Sequence, residues 1–476
     1  MVGILSYGAY LPMWRIDRSE IANASGGTSM GGERTVASWD EDSLTMGVEA
    51  GLDCLSGFDP KEIDVLYFAT VSSPFKEKQA SSMIASALDL RRDVYTGDFT
   101  TSLRAGTLAV KAAVDAVKSG SAKKVLVIAS DCRKAMPKSD FEQLYGHGAA
   151  ALLIGEPGTI ADIGGFTSVS NPIPGLWQRN EDDFLKSFEP KLDKIYGLLK
   201  DVPEAVVKLL ENFNLKTSDI AKFAFYGPDP RAYQDLARIL KIDSKAQLQN
   251  PLFEKVGITG TPHCLLLFIA ALEGSKPKER IVCANCGEGS DAFLAITSEN
   301  LERIKQKHRG TKHIFTKRMI QTYGHFMDFQ GIRKTDWPPK HMRASVVKYW
   351  RDQKWEIPFY GMRCNKCGTL QYPIHRCCMM CGEIDNHQEV KIGNRGKVFT
   401  YTHDYILGPG LFPCDGINPA TRVVVDIEDG CRLWLEMTDH KLEEVDIDMP
   451  IETTFRLIHQ KDDYRFYSWK VRPVRS

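Results

Sequence analysis

The chain has 476 residues, 43% hydrophobic and 26% charged, with 61 Lys+Arg balanced by 61 Asp+Glu. That is enough apolar chain for two or three hydrophobic cores, and the zero formal net charge offers no global field for nucleic acid or a membrane surface. The apolar run CLLLFIAAL at 264–272 is too short to cross a bilayer, and MVGILSYGAYLPMWR carries no charged leader, so a cytoplasmic protein without a membrane segment is expected. Twelve cysteines in such a chain suit reduced thiols and a metal site better than a disulfide scaffold.

Up to about residue 298, short apolar runs alternate with amphipathic segments. VLYFATVSS (65–73), KKVLVIASDC (123–132), GAAALLIGE (148–156), KFAFYGP (222–228) and RIVCANCG (280–287) read as buried strands. Between them, Leu44, Val48, Leu52 and Leu55 fall on one face of a helix, as do Val110, Val114 and Val117 of another. The alternation predicts a layered α/β domain. At 280–297, Gly287 and Gly289 separate two apolar runs and predict a closing hairpin.

Residues 99–107, FTTSLRAGT, place Ser102, Leu103 and Arg104 on the first turn of the second helix. The unpaired N–H groups and dipole of such a turn would stabilise a thiolate or an oxyanion. Here the turn offers a hydroxyl, a leucine and an arginine. Ser102 is read either as a helix cap or as a displaced nucleophile.

Residues 299–360 read as a basic, helical connector, beginning LERIKQKHRGTKHIFTKR and continuing through YGHFMDFQG and WPPKH. Beyond it Cys364-x-x-Cys367 and Cys378-x-x-Cys381 stand ten residues apart. Two such knuckles let four thiolates close tetrahedrally on zinc. Cys377 competes with Cys378, but only Cys378 keeps two residues before Cys381; buried or disulfide-bonded cysteines are the alternative. With no further ligand placed to leave an open position, the zinc ribbon at 361–385 is expected to be structural. From 386 to 476, GKVFTYTHDYI, TRVVVDIEDGCRLWLEM, PIETTFRLI and YRFYSWKV alternate at period two and predict a small antiparallel β-barrel of OB-fold type. Such barrels often bind single strands, but MTDHKLEEVDIDM is acidic and no basic face interleaves with the aromatics, so no nucleic-acid partner is expected.

VGILSYGAYLP, GERTVASWDEDSLTMGVEAG, YGHGAAALLIGE, NPIPGLWQR and CGEGSDAF occur in an order that resembles hydroxymethylglutaryl-CoA synthases of the thiolase superfamily over residues 1–298. Residues 323–473 resemble the acyl-CoA-associated zinc ribbon plus OB-fold family. The first resemblance implies a five-layer fold of two similar halves, an acyl-CoA substrate and a dimer. The second implies a partnership with a catalytic thiolase-like subunit, here as a fusion. The basic connector then has two readings, a solvated face or a site for CoA phosphates.

The resemblance also implies a catalytic cysteine, glutamate, histidine and asparagine. The matching positions are Leu103, Val71, Tyr226 and Ile258. A leucine accepts no acyl group, so covalent condensation of the family type is not expected. Tyr226 is read either as a proton donor to a β-oxygen or as a core aromatic. Cys286 is read either as a base-like thiol or as a buried one. Gly106, Gly287, Gly289 and Ser290 are expected to line the substrate site, while His147 and His263 read as structural histidines. Two functions stay open: an acyl-CoA enzyme making or breaking a carbon–carbon bond without a catalytic cysteine, and a non-catalytic partner of an active thiolase.

Overall fold

The computed structural model describes residues 1–333, 345–405, 419–461 and 464–475. Residues 334–344 of the expected connector, with WPPKH, and residues 406–418 of the expected barrel lie outside the described residues. The chain forms two compact units. One comprises Met1–Ala37, Asp42–Ala85 and Leu90–Tyr323; the other comprises Ser38–Glu41, Ser86–Asp89 and Gly324–Ser476.

In the first unit, β1 (Gly3–Tyr10), β2 (Val65–Ala69), β3 (Tyr95–Phe99), β4 (Lys124–Asp131), β5 (Gly148–Gly155), β6 (Ala161–Ser170), β7 (Lys222–Phe225), β8 (Arg280–Gly287) and β9 (Gly289–Thr297) form a nine-stranded sheet in the order β7–β8–β9–β6–β1–β5–β4–β2–β3. The run β1–β5–β4–β2 has two antiparallel joints and one parallel joint. The run β6–β9–β8–β7 repeats that pattern. β1 and β6 meet antiparallel at the centre. The expected two similar halves are therefore present, with β3 adding an extra strand to the first.

Four helices complete the layers: α1 (Ser43–Cys54), α2 (Ala105–Lys118), α3 (Leu199–Asn212) and α4 (His263–Gly274). Helix α1 packs on β1, β4 and β5, and α3 on β6, β8 and β9. Helices α2 and α4 each touch strands of both half-sheets, so they form the central layer of five. The pattern of α2 explains its place: Val110, Val114 and Val117 are buried while Lys111 and Asp115 face out. In α1, Leu44 and Val48 are buried as expected. Leu52, at the edge of the predicted stripe, is 38% exposed, and Leu55 caps the helix rather than belonging to it.

The segment read as a connector is not one piece. Residues up to Tyr323 belong to the first unit. The backbone N–H groups of Arg309 and Gly310 donate to the Asp53 carboxylate at 2.9 and 2.8 Å, and Arg318–Met319 pairs parallel with Trp14–Arg15. Charge periodicity suggested a solvated helix, but these backbone bonds, invisible in sequence, fix the segment in place.

The second unit contains α5 (Val346–Glu356) and a small sheet of β10 (Tyr360–Cys364), β11 (Leu370–Gln371) and β12 (His387–Lys391). It continues as a closed barrel of β13 (Arg395–Asp404), β14 (Ala420–Ile427), β15 (Arg432–Met437), β16 (Pro450–Lys461) and β17 (Tyr464–Pro473), in the order β13–β14–β15–β17–β16. This is the five-stranded OB-fold arrangement. It departs from a purely antiparallel barrel at one joint, where β15 meets β17 parallel at Met437 and Val471. Val398, Val425, Leu433, Phe455 and Val471 fill the apolar interior. Arg456 lies buried against Asp40, Glu41 and Asp439 at 3.1, 2.9 and 2.7 Å, which sequence periodicity gave no means of seeing. Among the described residues no helix is long and apolar enough to cross a membrane.

Candidate active site and metal centre

The turn before α2 is built around Arg104. Thr101 holds φ at +73°, a left-handed conformation that costs a β-branched residue strain and redirects the chain into the helix. Arg104 then reaches across to β9: Nε donates to Asp291 Oδ2 at 3.0 Å and Nη2 to Asp291 Oδ1 at 2.8 Å. Its Nη1 donates to the Glu288 carbonyl at 2.8 Å. The Ser102 hydroxyl donates to the Glu288 carboxylate at 2.7 Å and accepts the Arg104 N–H at 3.3 Å. The expected cap is therefore corrected: Arg104 occupies the cap position without a side-chain cap bond, and Ser102 closes a turn two residues upstream. Leu103 is partly buried against the core, and its carbonyl accepts from Asn285 Nδ2 at 2.8 Å.

The glycine hairpin packs directly on this turn. A Cβ at Gly287 would lie 2.6 Å from the Ser102 hydroxyl, and one at Gly289, where φ is +109°, would lie 2.0 Å from the Val169 carbonyl. Ser290 is fully buried and donates to the Asn285 carbonyl at 2.8 Å, which holds the hairpin closed. Gly106 faces the Thr261 carbonyl, 3.1 Å from where its Cβ would stand, and permits α2 to approach the start of α4. Gly287, Gly289 and Ser290 thus lie together in the hairpin on the Ser102–Arg104 turn, while Gly106 packs against the entrance of α4. Cys286 sits beside them, and burial pushes its thiol up to about 12, so it is uncharged at neutral pH.

Tyr226 directly follows β7 and is 5% exposed, its ring edge-on to His263 at 6.0 Å between centroids. Burial raises its pKa well above the ordinary phenol value, with Arg133 acting against that shift. The hydroxyl is therefore protonated near neutrality and is a donor. His263 is held neutral by burial, its pKa lowered to about 3. Its Nδ1 lies 3.4 Å from the Thr259 N–H, an arrangement that assigns the ring proton to Nε2. His147 is likewise buried and neutral. Its Nδ1 accepts the Ala37 N–H at 2.8 Å, and its Nε2 lies 3.3 Å from the Arg133 carbonyl.

Sequence reasoning missed Arg133, Tyr145 and Asp131. Arg133 is 3% exposed, with Cζ 4.1 Å from the centre of the Tyr145 ring. Tyr145 forms an isolated parallel bridge with Ile258. Asp131 accepts from Thr70 Oγ1, Val71 N, Ser72 Oγ and Thr261 N at 2.7–2.9 Å, tying the end of β2 to the entrance of α4. The arginine stood in the run SDCRK, where nothing in one dimension distinguishes it from a solvated charge.

In the second unit, Cys364, Cys367, Cys378 and Cys381 bring their sulfurs within 4.8 Å of one another, with Cys364–Cys381 and Cys367–Cys378 both at 3.6 Å. Tetrahedral zinc with bonds near 2.3 Å spaces its sulfurs by about 3.8 Å, so this donor set fits. Gly368 and Gly382, at φ +74° and +73°, let the N–H groups return to the Cys364 and Cys378 carbonyls in two matching knuckles. Cys377 is exposed and outside the cluster.

Comparison with known proteins gives the family of the first unit and the fold. The hydroxymethylglutaryl-CoA synthase of Pyrococcus furiosus is 31% identical over 334 residues, covering 68% of this chain and 94% of the relative. The chain belongs to the hydroxymethylglutaryl-CoA synthase family. The synthase of Methanopyrus kandleri is 29% identical over 336 residues, covering 96% of that protein. A solved hydroxymethylglutaryl-CoA synthase complexed with CoA superposes with a TM-score of 0.64 at 16% identity, over 72% of this chain and 95% of that one. The 3-oxoacyl-[acyl-carrier-protein] synthase III of Aquifex aeolicus superposes with a TM-score of 0.57 at 20% identity, over 62% of this chain and all of that one. The family therefore accounts for the thiolase-like unit. Residues 359–385 match the ChsH2 rubredoxin-like zinc ribbon domain.

Proposed function

We propose that this family member is an acyl-CoA enzyme that forms or breaks a carbon–carbon bond in a β-hydroxy- or β-ketoacyl-CoA without a covalent acyl-enzyme, by aldol, retro-aldol or Claisen-type chemistry. The observation that carries the reading is Tyr226, a buried and protonated phenol at the position matched to the family's histidine, while the nucleophile turn presents Leu103. An aldol step needs no acyl-accepting side chain. In the aldol direction a Cα proton leaves to water, the resulting enolate carbon bonds to the carbonyl carbon as the C=O π bond opens to an alkoxide, and Tyr226 gives that oxygen its proton and is reprotonated from water. The retro-aldol step reverses each transfer, breaking the Cα–Cβ bond, releasing the carbonyl compound and returning a proton to Cα. Incubating the protein with β-hydroxyacyl-CoA thioesters and assaying for a released aldehyde or ketone tests this, and absence of any carbonyl product across short and long acyl chains counts against it.

The ribbon cysteines Cys364, Cys367, Cys378 and Cys381 would hold a structural zinc that staples the second unit, with no role in the bond-making step. We also place the protein in a homodimer or in a complex with a catalytic thiolase-like subunit, through the associations implied by its two families. Arg104 favours a second reading, as a non-catalytic subunit, because its bonds to Asp291 and Glu288 lock the turn that carries the nucleophile elsewhere in the family. Co-purification from native lysate decides between them. Recovery with a cysteine-bearing thiolase supports the partner role, and recovery as an active protein alone removes it.

A further inference from the structure

Cys264, on the first turn of α4, and Cys283, in the middle of β8, are both fully buried, and their sulfurs stand 2.9 Å apart. Non-bonded heavy atoms of carbon size rest at about 3.5–4.0 Å, and sulfur is larger. The pair is also closer than the 3.6 Å of the ribbon pairs Cys364–Cys381 and Cys367–Cys378, which leaves no room for a metal ion between the two sulfurs. Cys283 pairs with Ala224 on one side and Phe293 on the other within the sheet, and the Cys264 thiol meets the Ala284 carbonyl at 3.2 Å. In these surroundings burial raises the Cys283 thiol well above its ordinary value, with Cys264 adding to the shift. Neither sulfur is placed to work as a free thiolate; each is placed against the other.

We propose that Cys264 and Cys283 are an oxidation site of the folded protein, closing to a disulfide when hydrogen peroxide is the oxidant. One thiol gives up its proton, its sulfur attacks a peroxide oxygen, and the O–O bond breaks to leave a sulfenic acid and water. The second sulfur then attacks the first, and the S–S bond forms as the hydroxyl leaves with the second thiol's proton as another water. Two electrons pass from the sulfurs to the peroxide. The sulfurs have only to close from 2.9 Å to about 2.0 Å. Attack needs a thiolate, which burial makes scarce, so the bond forms slowly; the same burial keeps an external thiol from the finished bond, so it persists. The link joins two elements that hold the nucleophile turn and its helix. Just before α4 the Thr261 carbonyl meets Gly106, and on β8 Asn285 Nδ2 donates to the Leu103 carbonyl at 2.8 Å. This site is independent of the acyl-CoA reading.

The test is mass spectrometry of the full-length protein as purified, treated with hydrogen peroxide under native conditions, then unfolded and alkylated. Peptides carrying Cys264 and Cys283 are expected to be recovered joined, two hydrogens lighter than the separate pair, and to part on reduction. The joined pair should survive reduced glutathione in the folded protein and yield to it in denaturant. The link closes residues 264–283 in the unfolded chain, so the guanidinium midpoint of the treated protein should move upward relative to the reduced one. Cys283→Ala, treated in the same way, should remove that shift; the peptide measurement needs no variant and stands even if this one fails to fold. Full alkylation of both cysteines after a treatment that oxidises the exposed Cys377, or recovery of either one joined to Cys286, would overturn the site.

Discussion

Arg104 Nε and Nη2 grip both carboxylate oxygens of Asp291, at 3.0 and 2.8 Å, across the junction of α2 with β9. Thr107 and Ser168 complete the carboxylate's hydrogen bonds at 3.0 and 2.8 Å. With side chains only 11% and 7% exposed, the pair is poorly hydrated. Removing one member strands the other, so Arg104→Leu or Asp291→Leu is expected to cost about 3–5 kcal/mol. The double variant should cost less than the sum of the two. Denaturant unfolding of the three variants measures this, and strict additivity would mean the pair is not coupled.

Acid should destabilise the first unit through its histidines. His263 is held neutral with a pKa near 3, and His147 is lowered well below its ordinary value, both chiefly by burial. In the unfolded chain each titrates near 6.5. Above that value both states are neutral and the native state keeps its full stability. As pH falls through 6.5 toward 3 the unfolded state takes up protons that native His263 refuses, and stability declines by about 1.4 kcal/mol per pH unit for that group. His263→Gln should flatten the slope of unfolding free energy against pH between 6 and 4; an unchanged slope would show that this imidazole is not the cause.

Much of this was legible in the sequence, for physical reasons that also explain the omissions. The period-two runs and the valine stripe of α2 announce the layers because burial selects for them. The paired Cys-x-x-Cys spacing announces the ribbon because zinc imposes it. Leu103 and Tyr226 were found by position within a resemblance. Arg133 was not, because its significance is three-dimensional: Gly260, Tyr145 and Tyr226 come to it from distant parts of the chain. Leu52 and the 299–323 segment were misjudged for the same reason, since their surroundings are set by tertiary packing and not by local period.

Metal content should follow the ribbon cysteines alone. The purified protein is expected to carry about one zinc per chain, and replacing Cys364 and Cys378 by Ser should reduce that to none. Cys377→Ser, at an exposed sulfur outside the cluster, should leave it unchanged. Plasma mass spectrometry of the three proteins measures this, and zinc retained in the double variant would place the metal elsewhere.

Tyr226→Phe and Cys286→Ser separate the two polar candidates for the proton step. Loss of a general acid typically slows chemistry by about 10²–10⁴-fold, so Tyr226→Phe should lower kcat by that order while KM stays within a few-fold. The phenyl ring remains to pack beside His263, so the unfolding temperature should change little. Cys286, pushed up to about 12 by burial, holds its proton through the assay range, and serine in its place should leave kcat within a few-fold. Iodoacetamide should likewise spare Cys286 at pH 8, because alkylation requires the thiolate. A parent-like rate for Tyr226→Phe, or selective inactivation by alkylation at Cys286, would transfer the proton chemistry from the phenol to the thiol.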